Sequence, residues 1–235
     1  MLVSGAGKRL GRAIALALAQ QGARIIVHFN QSAEGAKLTC ERIHAAGGEA
    51  VALQADLSRP EQARTLVDAS VAVWGGLDCV VASAASFERV PFAELDDQAW
   101  DRSLSLNLGS QFALVHQAAP ALRESRGSVV FLTCSSAVRP FRGYLPYVVS
   151  KGALVHLMRV LALELAPEVR VNAVAPGTVL PPEAMSQEEL AAHLKRVPLA
   201  RAGEPEDVVG AVLYLLTSPF VTGQHLVVDG GRSFG

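Results

Sequence analysis

The sequence has few charges, few aromatic residues and few cysteines, and these shortages exclude several classes of protein. Charged residues make up 18% of the chain, and 21 basic and 22 acidic side chains leave a net charge of -1. Without a basic excess or a polybasic block, neither a nucleic-acid partner nor an anionic membrane is expected. No uninterrupted apolar run reaches the roughly 18 residues that a membrane-spanning helix needs.

The three cysteines, Cys40, Cys79 and Cys134, are odd in number and share no metal-ligand spacing. Free thiols are typical of a reducing compartment, so we expect a cytoplasmic protein without disulfides. The histidines also lack metal-site spacing such as His-Glu-x-x-His, and we predict no metal. With 50% hydrophobic residues, the chain is too apolar to be disordered.

Short apolar runs alternate with helical patterns along the whole chain. The runs are rich in valine and isoleucine and do not alternate strictly, which is typical of strands covered on both faces. We predict an α/β fold, with a single Rossmann-type doubly wound parallel sheet of about seven strands and helices on both faces, over residues 1–235 as one domain. The predicted strands are 2–3, 24–28, 50–54, 79–82, 128–132, 169–174 and 224–228. The predicted helices are 10–21, 32–46, 60–74, 97–123, 147–166, 187–195 and 205–217.

A glycine-rich turn at residues 4–11 (SGAGKRLG) follows the first predicted strand and opens a helix. The pyrophosphate of a dinucleotide binds at this position, on a helix N-terminus. Gly5 permits a tight turn and Gly11 permits close packing of helix on strand, although the spacing is not Gly-x-Gly-x-x-Gly. The turn therefore predicts a dinucleotide site.

The second predicted strand leads into residues 28–32 (HFNQS), which contain no carboxylate. An NAD site usually places an acidic residue there to bind the ribose 2′-hydroxyl. Lys8 and Arg9 in the glycine turn can instead pair with a 2′-phosphate. Asn30 and Ser32 can donate hydrogen bonds to the same group. Because cations oppose the dipole at a helix N-terminus, their presence favours a bound anion, and we predict NADP(H).

Tyr147 and Lys151 lie four residues apart at the start of a predicted helix, so both side chains share one face. A tyrosine with its pKa near 10 is a poor proton donor, but a nearby ammonium lowers that pKa. The pair could give or take a proton at a carbonyl while a nicotinamide transfers a hydride. Taken alone, the motif leaves a plain surface pair as the alternative.

In context, the motif makes the chain resemble the short-chain dehydrogenase/reductase family over essentially its whole length. Each matching segment is short, but their order and spacing together are highly specific. The matching segments are 5–11, 55–58 (ADLS), 75–78 (GGLD), 106–108 (LNL), 147–151, 171–177 (VNAVAPG), 222–224 (TGQ) and 228–231 (VDGG).

The resemblance implies roles for individual residues. Tyr147 is implied as the proton donor, and Lys151 as the group that lowers the tyrosine pKa and holds the nicotinamide ribose. Asn107 resembles the helix residue that positions a water in a proton relay. With the residues argued above, the expected cofactor contacts are Gly5, Lys8, Arg9, Leu10, Gly11, Asn30, Ser32, Asp56, Leu57, Ala82, Lys151, Pro176, Gly177 and Thr178.

The resemblance also implies an assembly. The long predicted helices 97–123 and 147–166 are similar to those that pack between subunits in dimers and tetramers of the family. A homodimer or homotetramer acting on a small-molecule substrate is therefore expected.

Three positions depart from the family pattern. Arg9 replaces the middle glycine of the turn, and residues 82–85 read Ala-Ser-Ala-Ala where Asn-Asn-Ala-Gly is usual. Cys134 stands where most members carry the catalytic serine. Because Ser135 and Ser136 are adjacent, a shift of one residue in the turn could restore a hydroxyl. Cys134 could act in catalysis or be merely a small buried hydrophobic residue.

The departure at Arg9 resembles the pteridine reductase branch of the family. Residues 28–32, 84–87 and 143–144 match the same branch. In that branch the arginine touches cofactor and substrate, and a phenylalanine at the position of Phe87 stacks on the pterin ring. Phe87 could equally be a core aromatic residue.

Two further residues argue against a pterin substrate. The pteridine branch carries an aspartate where Cys134 stands and a serine at the position of Ala85, and both help to hold or protonate the pterin. The expected substrate contacts are Arg9, Phe87 and Tyr147.

We expect an NADPH-dependent oxidoreductase that transfers a hydride to a C=O or C=N bond of a small molecule, a pteridine being one candidate. One alternative is a general carbonyl, ketoacyl or sugar reductase of the same family. The other is a catalytically weak NADP(H)-binding sensor or scaffold, favoured by the missing serine and Asn-Asn-Ala-Gly. Residues 179–186 are expected to form a short substrate lid.

Overall fold

The sheet is what positions every candidate site residue. The computed structural model describes residues 1–181 and 186–234. Seven strands form one sheet in the order β3-β2-β1-β4-β5-β6-β7, and every neighbouring pair is parallel, which confirms the predicted Rossmann-type fold. The strands are β1 (Leu2–Val3), β2 (Ile25–Phe29), β3 (Ala50–Gln54), β4 (Cys79–Ala82), β5 (Ser128–Leu132), β6 (Arg170–Pro176) and β7 (His225–Val228).

The helices connect the strands and cover both faces of the sheet. They are α1 (Arg9–Gln20), α2 (Ala33–Ala45), α3 (Pro60–Trp74), α4 (Asp97–Leu104), α5 (Ser110–Glu124), α6 (Leu145–Glu164), α7 (Gln187–Leu194) and α8 (Pro205–Thr217). Strand and helix bounds agree with the sequence prediction to within a residue or two, except at 97–123.

The predicted helix 97–123 is two helices, α4 and α5, joined by a π-helical turn at Ser105–Gly109. Such turns insert one extra residue into a helix and are frequent at functional sites. The apolar pattern continues through the insertion, so periodicity alone gives no sign of the break. Asn107 lies in this turn and is fully buried.

Alternate residues of the strands enter two separate cores, one on each face of the sheet. On β5, Val130 packs with the side of α1 and α8, whereas Phe131 packs with the side of α3, α5 and α6. Both side chains have no exposed surface. This explains why the strands read as continuous apolar runs rather than alternating ones. Truncating Phe131 to alanine would destabilise the fold by about 3–5 kcal/mol.

Helix α6 is long and apolar enough to cross a membrane by length and composition, with a mean hydropathy of 1.2. Half of that window is buried within the protein, where the helix packs against β6. The same helix carries Tyr147 and Lys151, and both face inwards.

Strand order reverses between β1 and β4, because β2 follows on one side of β1 and β5 lies beyond β4. In open parallel sheets, such a reversal leaves a crevice at the carboxyl ends of the strands, where ligands bind. The glycine turn after β1, Asn30 after β2 and Cys134 after β5 all lie at this edge. The fold therefore gathers the candidate residues at one crevice.

Candidate active site

A cleft of about 500 Å³ occupies this crevice. Its size lies in the range of small-molecule and cofactor sites. Three cationic side chains, Lys8, Arg9 and Lys151, line it, and no carboxylate does so among the lining residues that the structure describes. The cleft is therefore positive although the whole chain is nearly neutral. Low-dielectric walls of one charge sign raise the local concentration of an anionic ligand.

The glycine turn is tied to the loop that follows β4. Gly5 has φ +69°, in the left-handed region that favours glycine, and a Cβ there would lie 3.1 Å from Ala84 Cα. The Ser4 hydroxyl accepts hydrogen bonds from the backbone N–H groups of Ser83 and Ala84, each at 2.9 Å. These contacts hold the two loops that form the floor of the cleft.

His28 joins the ends of three strands, a role that sequence reasoning missed. The backbone N–H of Gly5 donates to its Nδ1 at 3.0 Å, and its Nε2 lies 3.0 Å from the carbonyl oxygen of Ala55. Because Nδ1 accepts a hydrogen bond, the proton is assigned to Nε2 and the ring is neutral. Burial lowers the His28 pKa and so favours the same form. A polar residue inside the apolar run RIIVH was the available signal.

The N-terminus of α1 faces the cleft without a side-chain cap. Lys8 is the N-cap residue, and the first turn contains no acidic residue. The first backbone N–H groups of a helix have no partner within the helix and carry partial positive charge. An uncapped helix start flanked by cations fits the phosphates of a dinucleotide cofactor.

Arg9 adopts φ +50°, a left-handed conformation that costs a residue other than glycine about 1 kcal/mol. Its guanidinium donates a hydrogen bond to the carbonyl oxygen of Leu180, on the segment that follows β6. Arg9 therefore spans the mouth of the cleft from the glycine turn to the start of the predicted lid. Residues 182–185 of that lid lie outside the described residues.

The end of β2 supplies Asn30 and Ser32 to the cleft wall, together with Leu57 from the loop after β3. Asp56 does not line the cleft, and its carboxylate accepts hydrogen bonds from the backbone N–H and the hydroxyl of Ser58. The hydrogen bond from the Ser58 side chain is also the largest cause of the lowered Asp56 pKa.

Tyr147 and Lys151 are both almost fully buried, at 9% and 2% exposure. The Lys151 ammonium donates to the carbonyl oxygen of Leu132, the last residue of β5, at 2.8 Å. Its Nζ lies 5.8 Å from the centre of the Tyr147 ring. The predicted helical face therefore exists and points into the cleft rather than to solvent.

Cys134, rather than either neighbouring serine, faces Tyr147. Its side chain lines the cleft together with Tyr147 and lies close enough to raise the pKa of that tyrosine. The Ser136 backbone N–H donates to the Cys134 sulfur at 3.4 Å, which fixes the turn. Ser136 itself is buried away from the cleft, and Ser135 does not line it. The structure thus brings a thiol, rather than a hydroxyl, to the cleft wall beside Tyr147.

The expected lowering of the Tyr147 pKa is wrong for this structure. Burial, followed by the charge and hydrogen bond of Cys134, raises it. Desolvation penalises the phenolate, and this penalty outweighs the attraction of the Lys151 ammonium, whose Nζ lies 5.8 Å from the ring centre. Burial also lowers the Lys151 pKa to about 8.

Asn107 shapes the site from behind rather than lining it. Its Oδ1 accepts from the backbone N–H of Ser86 at 2.9 Å, and its Nδ2 donates to the Ser86 carbonyl at 3.2 Å and to Ser103 Oγ at 3.1 Å. These bonds fix the loop after β4. The implied role in a proton relay stays a prediction.

Two other expected cofactor contacts lie outside the cleft lining. Ala82 is buried within β4, and the Thr178 hydroxyl is hydrogen-bonded to His193 Nε2 on α7. The expected cofactor contacts that do line the cleft are Gly5, Lys8, Arg9, Leu10, Gly11, Asn30, Ser32, Leu57, Lys151, Pro176 and Gly177.

Four aromatic rings cluster at the substrate end of the site. Phe87 is 50% exposed, stacks on Tyr144 at 4.3 Å and meets the edge of Tyr147 at 4.8 Å. Phe141 contacts the rings of Phe87 and Tyr144 in edge-on geometry. Phe87 is therefore not a core residue, and one of its faces is covered by Tyr144.

Comparison with known proteins adds a family to this geometry. A family model described as Enoyl-(Acyl carrier protein) reductase matches residues 5–233. The granaticin polyketide synthase putative ketoacyl reductase 2 of Streptomyces violaceoruber is 37% identical over 238 residues, which cover 98% of this chain and 94% of that protein.

Two solved structures are also similar to this chain over almost its whole length. A 7α-hydroxysteroid dehydrogenase complexed with NADH and 7-oxo glycochenodeoxycholic acid gives a TM-score of 0.93 at 30% identity, over 98% of this chain and 92% of its own. FolM alternative dihydrofolate reductase 1 from Brucella canis, complexed with NADP, gives 0.93 at 33% identity, over 100% and 93%. Both proteins were solved with a nicotinamide dinucleotide.

Proposed function

Because the chain belongs to the short-chain dehydrogenase/reductase family, we propose that it is an NADPH-dependent reductase of a C=O or C=N bond in a small molecule. The family binds a nicotinamide cofactor. The proposal rests on one observation: Tyr147, Lys151 and Cys134 line the same cleft as the glycine turn.

The charge of the cleft supports NADPH over NADH. Lys8 and Arg9 flank the uncapped start of α1, and the described cleft lining contains no carboxylate that would bind a ribose 2′-hydroxyl. Asn30 and Ser32 add hydrogen-bonding groups at the end of β2. An arginine or lysine is the usual partner of a 2′-phosphate.

Tyr147 acts as the proton donor in this proposal. The nicotinamide, when bound, supplies the hydride. The Tyr147 hydroxyl gives its proton to the oxygen or nitrogen of the bond being reduced. Because burial raises its pKa, the phenol is a weaker acid here and gives up its proton only as negative charge develops on the atom being reduced. Lys151, held by Leu132, supplies the positive charge that stabilises the phenolate left behind.

Cys134 takes a weaker version of the serine's role. Its thiol lies beside the Tyr147 side chain, where a hydroxyl would hydrogen-bond to the substrate oxygen. Because an S–H group is a weak donor, substrate orientation in this site depends less on that bond. The aromatic rings around Phe87 provide apolar contact area in compensation.

Two substrate classes are favoured by specific observations. A ketone or 3-oxoacyl thioester is supported by the ketoacyl reductase name of the Streptomyces relative and by the aromatic rings around Phe87. A dihydropterin is supported by the FolM neighbour, by Arg9 at the cleft mouth and by the exposed ring of Phe87. For a pterin to stack on the covered face of Phe87, Tyr144 would have to move.

The test is NADPH oxidation by the purified protein against small ketones, a 3-oxoacyl thioester and a dihydropterin. We expect turnover with at least one class and a strong preference for NADPH over NADH. Tight NADPH binding without turnover on any substrate would overturn the enzyme proposal and favour the sensor or scaffold.

We also propose that the protein forms a homodimer or homotetramer through the outer faces of α5 and α6. Phe112 on α5 and Val149, Val160 and Leu163 on α6 are large apolar side chains that are exposed on these helices. Light scattering after size exclusion tests this directly: a monomeric mass at micromolar concentration would contradict it.

A further inference from the structure

Three arginines from distant parts of the chain come together near the turns that follow β5, α7 and β7. Arg139 follows the 3₁₀ turn Ser135–Ala137, Arg196 follows α7 and Arg232 follows β7. The Arg139 guanidinium donates to the carbonyl oxygen of Arg232 at 3.3 Å. Arg196 also lies close enough for its positive charge to lower the pKa of Arg232. We call these three residues the arginine cluster.

Two turns connect the arginine cluster to residues that line the active site. Arg139 follows the 3₁₀ turn that begins after Cys134, and its backbone N–H donates to the carbonyl oxygen of Ser135 at 2.9 Å. Arg196 lies just beyond His193, whose ring is hydrogen-bonded to Thr178 on the turn after β6. Cys134, just before the first turn, and Gly177, next to Thr178, both line the cleft.

The positive charge of the cluster is not balanced by the described part of the chain. None of the salt bridges among the described residues includes Arg139, Arg196 or Arg232. Asp229 is the carboxylate that acts on Arg232, but its two oxygens accept the backbone N–H groups of Gly231 and Ser233 at 2.9 and 2.8 Å.

Arg232 is held in an unfavourable setting. Its Nε is buried and has no hydrogen-bond partner among the described residues. Burial first, and then Arg139 and Arg196, lower the Arg232 pKa. An anion seated among these guanidinium groups would relieve their repulsion and supply the missing hydrogen bonds.

We propose that the arginine cluster binds a carboxylate or phosphate on the part of the substrate remote from the reducible bond, so that the natural substrate is an anion. This rests on the proposed function and narrows its substrate class. Guanidinium groups suit both anions because their planar fork matches carboxylate and phosphate oxygens. A thioester on coenzyme A brings phosphates, whereas a folate-type pterin brings carboxylates.

Matched substrate pairs test the proposal and separate the two sources of charge. One pair is acetoacetyl-coenzyme A and the neutral acetoacetyl thioester of N-acetylcysteamine. The other is dihydrofolate and the neutral dihydrobiopterin. The readout is the ratio of kcat/KM for the anionic member to that for the neutral member, measured by NADPH oxidation.

We expect this ratio to fall about five- to tenfold in Arg139→Gln and in Arg196→Gln, the size of a partly exposed charge-assisted contact. Both arginines are exposed, so neither change removes a buried group. Arg64→Gln is the matched control, because Arg64 on α3 contacts only a carbonyl of its own helix among the described residues. Its ratio should equal that of the wild type, and the wild-type ratio should fall as salt rises.

Equal ratios in the wild type and both cluster variants would overturn the proposal. If neither pair is reduced, the result concerns the proposed substrates rather than the cluster, and the cluster is then tested by titrating inorganic pyrophosphate into NADP⁺-saturated protein. Binding weakened about fivefold in Arg139→Gln relative to Arg64→Gln would support the cluster as an anion site. Equal binding would reject it.

Discussion

The cleft has two halves that are built in different ways. The cofactor half, around the glycine turn and β2, is held by hydrogen bonds between side chains and backbone from Ser4, Arg12 and His28. The substrate half, around Cys134 and Tyr147, combines hydrogen bonds from Lys151 and Asn107 with exposed, stacked rings around Phe87. The first half is therefore shaped in advance for one ligand, whereas the exposed rings of the second can be matched to a particular substrate.

The largest expected effect should fall on the substrate half alone. Tyr147→Phe removes the proton donor but keeps the ring, so we expect kcat to fall about 10²- to 10⁴-fold. The dissociation constant of NADPH, measured by fluorescence titration, should stay within about twofold because the cofactor half is intact. Retained turnover would show that another group donates the proton.

The second effect should fall on the cofactor half alone. His28→Phe leaves the buried Gly5 N–H without an acceptor, which costs about 1–3 kcal/mol. We expect NADPH binding to weaken about tenfold or more, with kcat at saturating NADPH much less affected. His28→Asn keeps an acceptor close to the position of Nδ1 and should recover part of the binding. An NADPH affinity that is the same in all three proteins would show that His28 does not position the turn.

A comparable effect is expected from pH, acting on the substrate half. Lys151 is charged below its pKa of about 8 and neutral above it. Since the ammonium stabilises the phenolate of Tyr147, kcat should fall about tenfold per pH unit above that value. A pH profile of kcat checks this. A flat profile between pH 7 and about pH 10 would show that the charge of Lys151 does not contribute to catalysis.

On the acid side, pH should reveal His28 instead. Its pKa is lowered in the folded protein from an ordinary value of 6.5, so the unfolded chain binds the proton more readily. The stabilisation is therefore complete above 6.5 and is lost as pH falls below that value towards the folded-state pKa. As pH falls through this range, the melting temperature of the wild type should decrease more steeply than that of His28→Phe. Parallel curves would contradict the assignment.

The smallest expected effect concerns Cys134. Cys134→Ser supplies the stronger hydroxyl donor at the position facing Tyr147, and we expect kcat to rise about two- to fivefold. Cys134→Ala is the control and should lower kcat. If serine and alanine lower it equally, the sulfur itself has a role in this site.

The sheet and most of the helices could be predicted from the sequence because their apolar patterns are continuous. The π-helical turn at Ser105–Gly109 could not, since a single inserted residue shifts the apolar pattern too little to be located in a short segment. The raised pKa of Tyr147 was missed because a motif shows spacing but not burial. The arginine cluster could not be predicted from the sequence, since the contact between Arg139 and Arg232 joins segments that the folded sheet alone brings together.

The register of the chain was more informative than its composition. Cys134 was placed opposite Tyr147 by counting from an apolar strand, and the structure puts it there rather than Ser135 or Ser136. His28 lies in an apolar run of the sequence, and its hydrogen bond with Gly5 is evident only once the fold places the glycine turn next to it. Contacts between distant segments, rather than local patterns, are what the sequence concealed.

The most direct test of the central claim follows a labelled hydride. NADPH carrying deuterium at both positions of nicotinamide C4 is incubated with the protein and a substrate that it reduces, and the product is analysed by mass spectrometry. The account predicts one carbon-bound deuterium per product molecule in the wild type and almost no labelled product with Tyr147→Phe. Unlabelled product, or equal labelled product from both proteins, would contradict it.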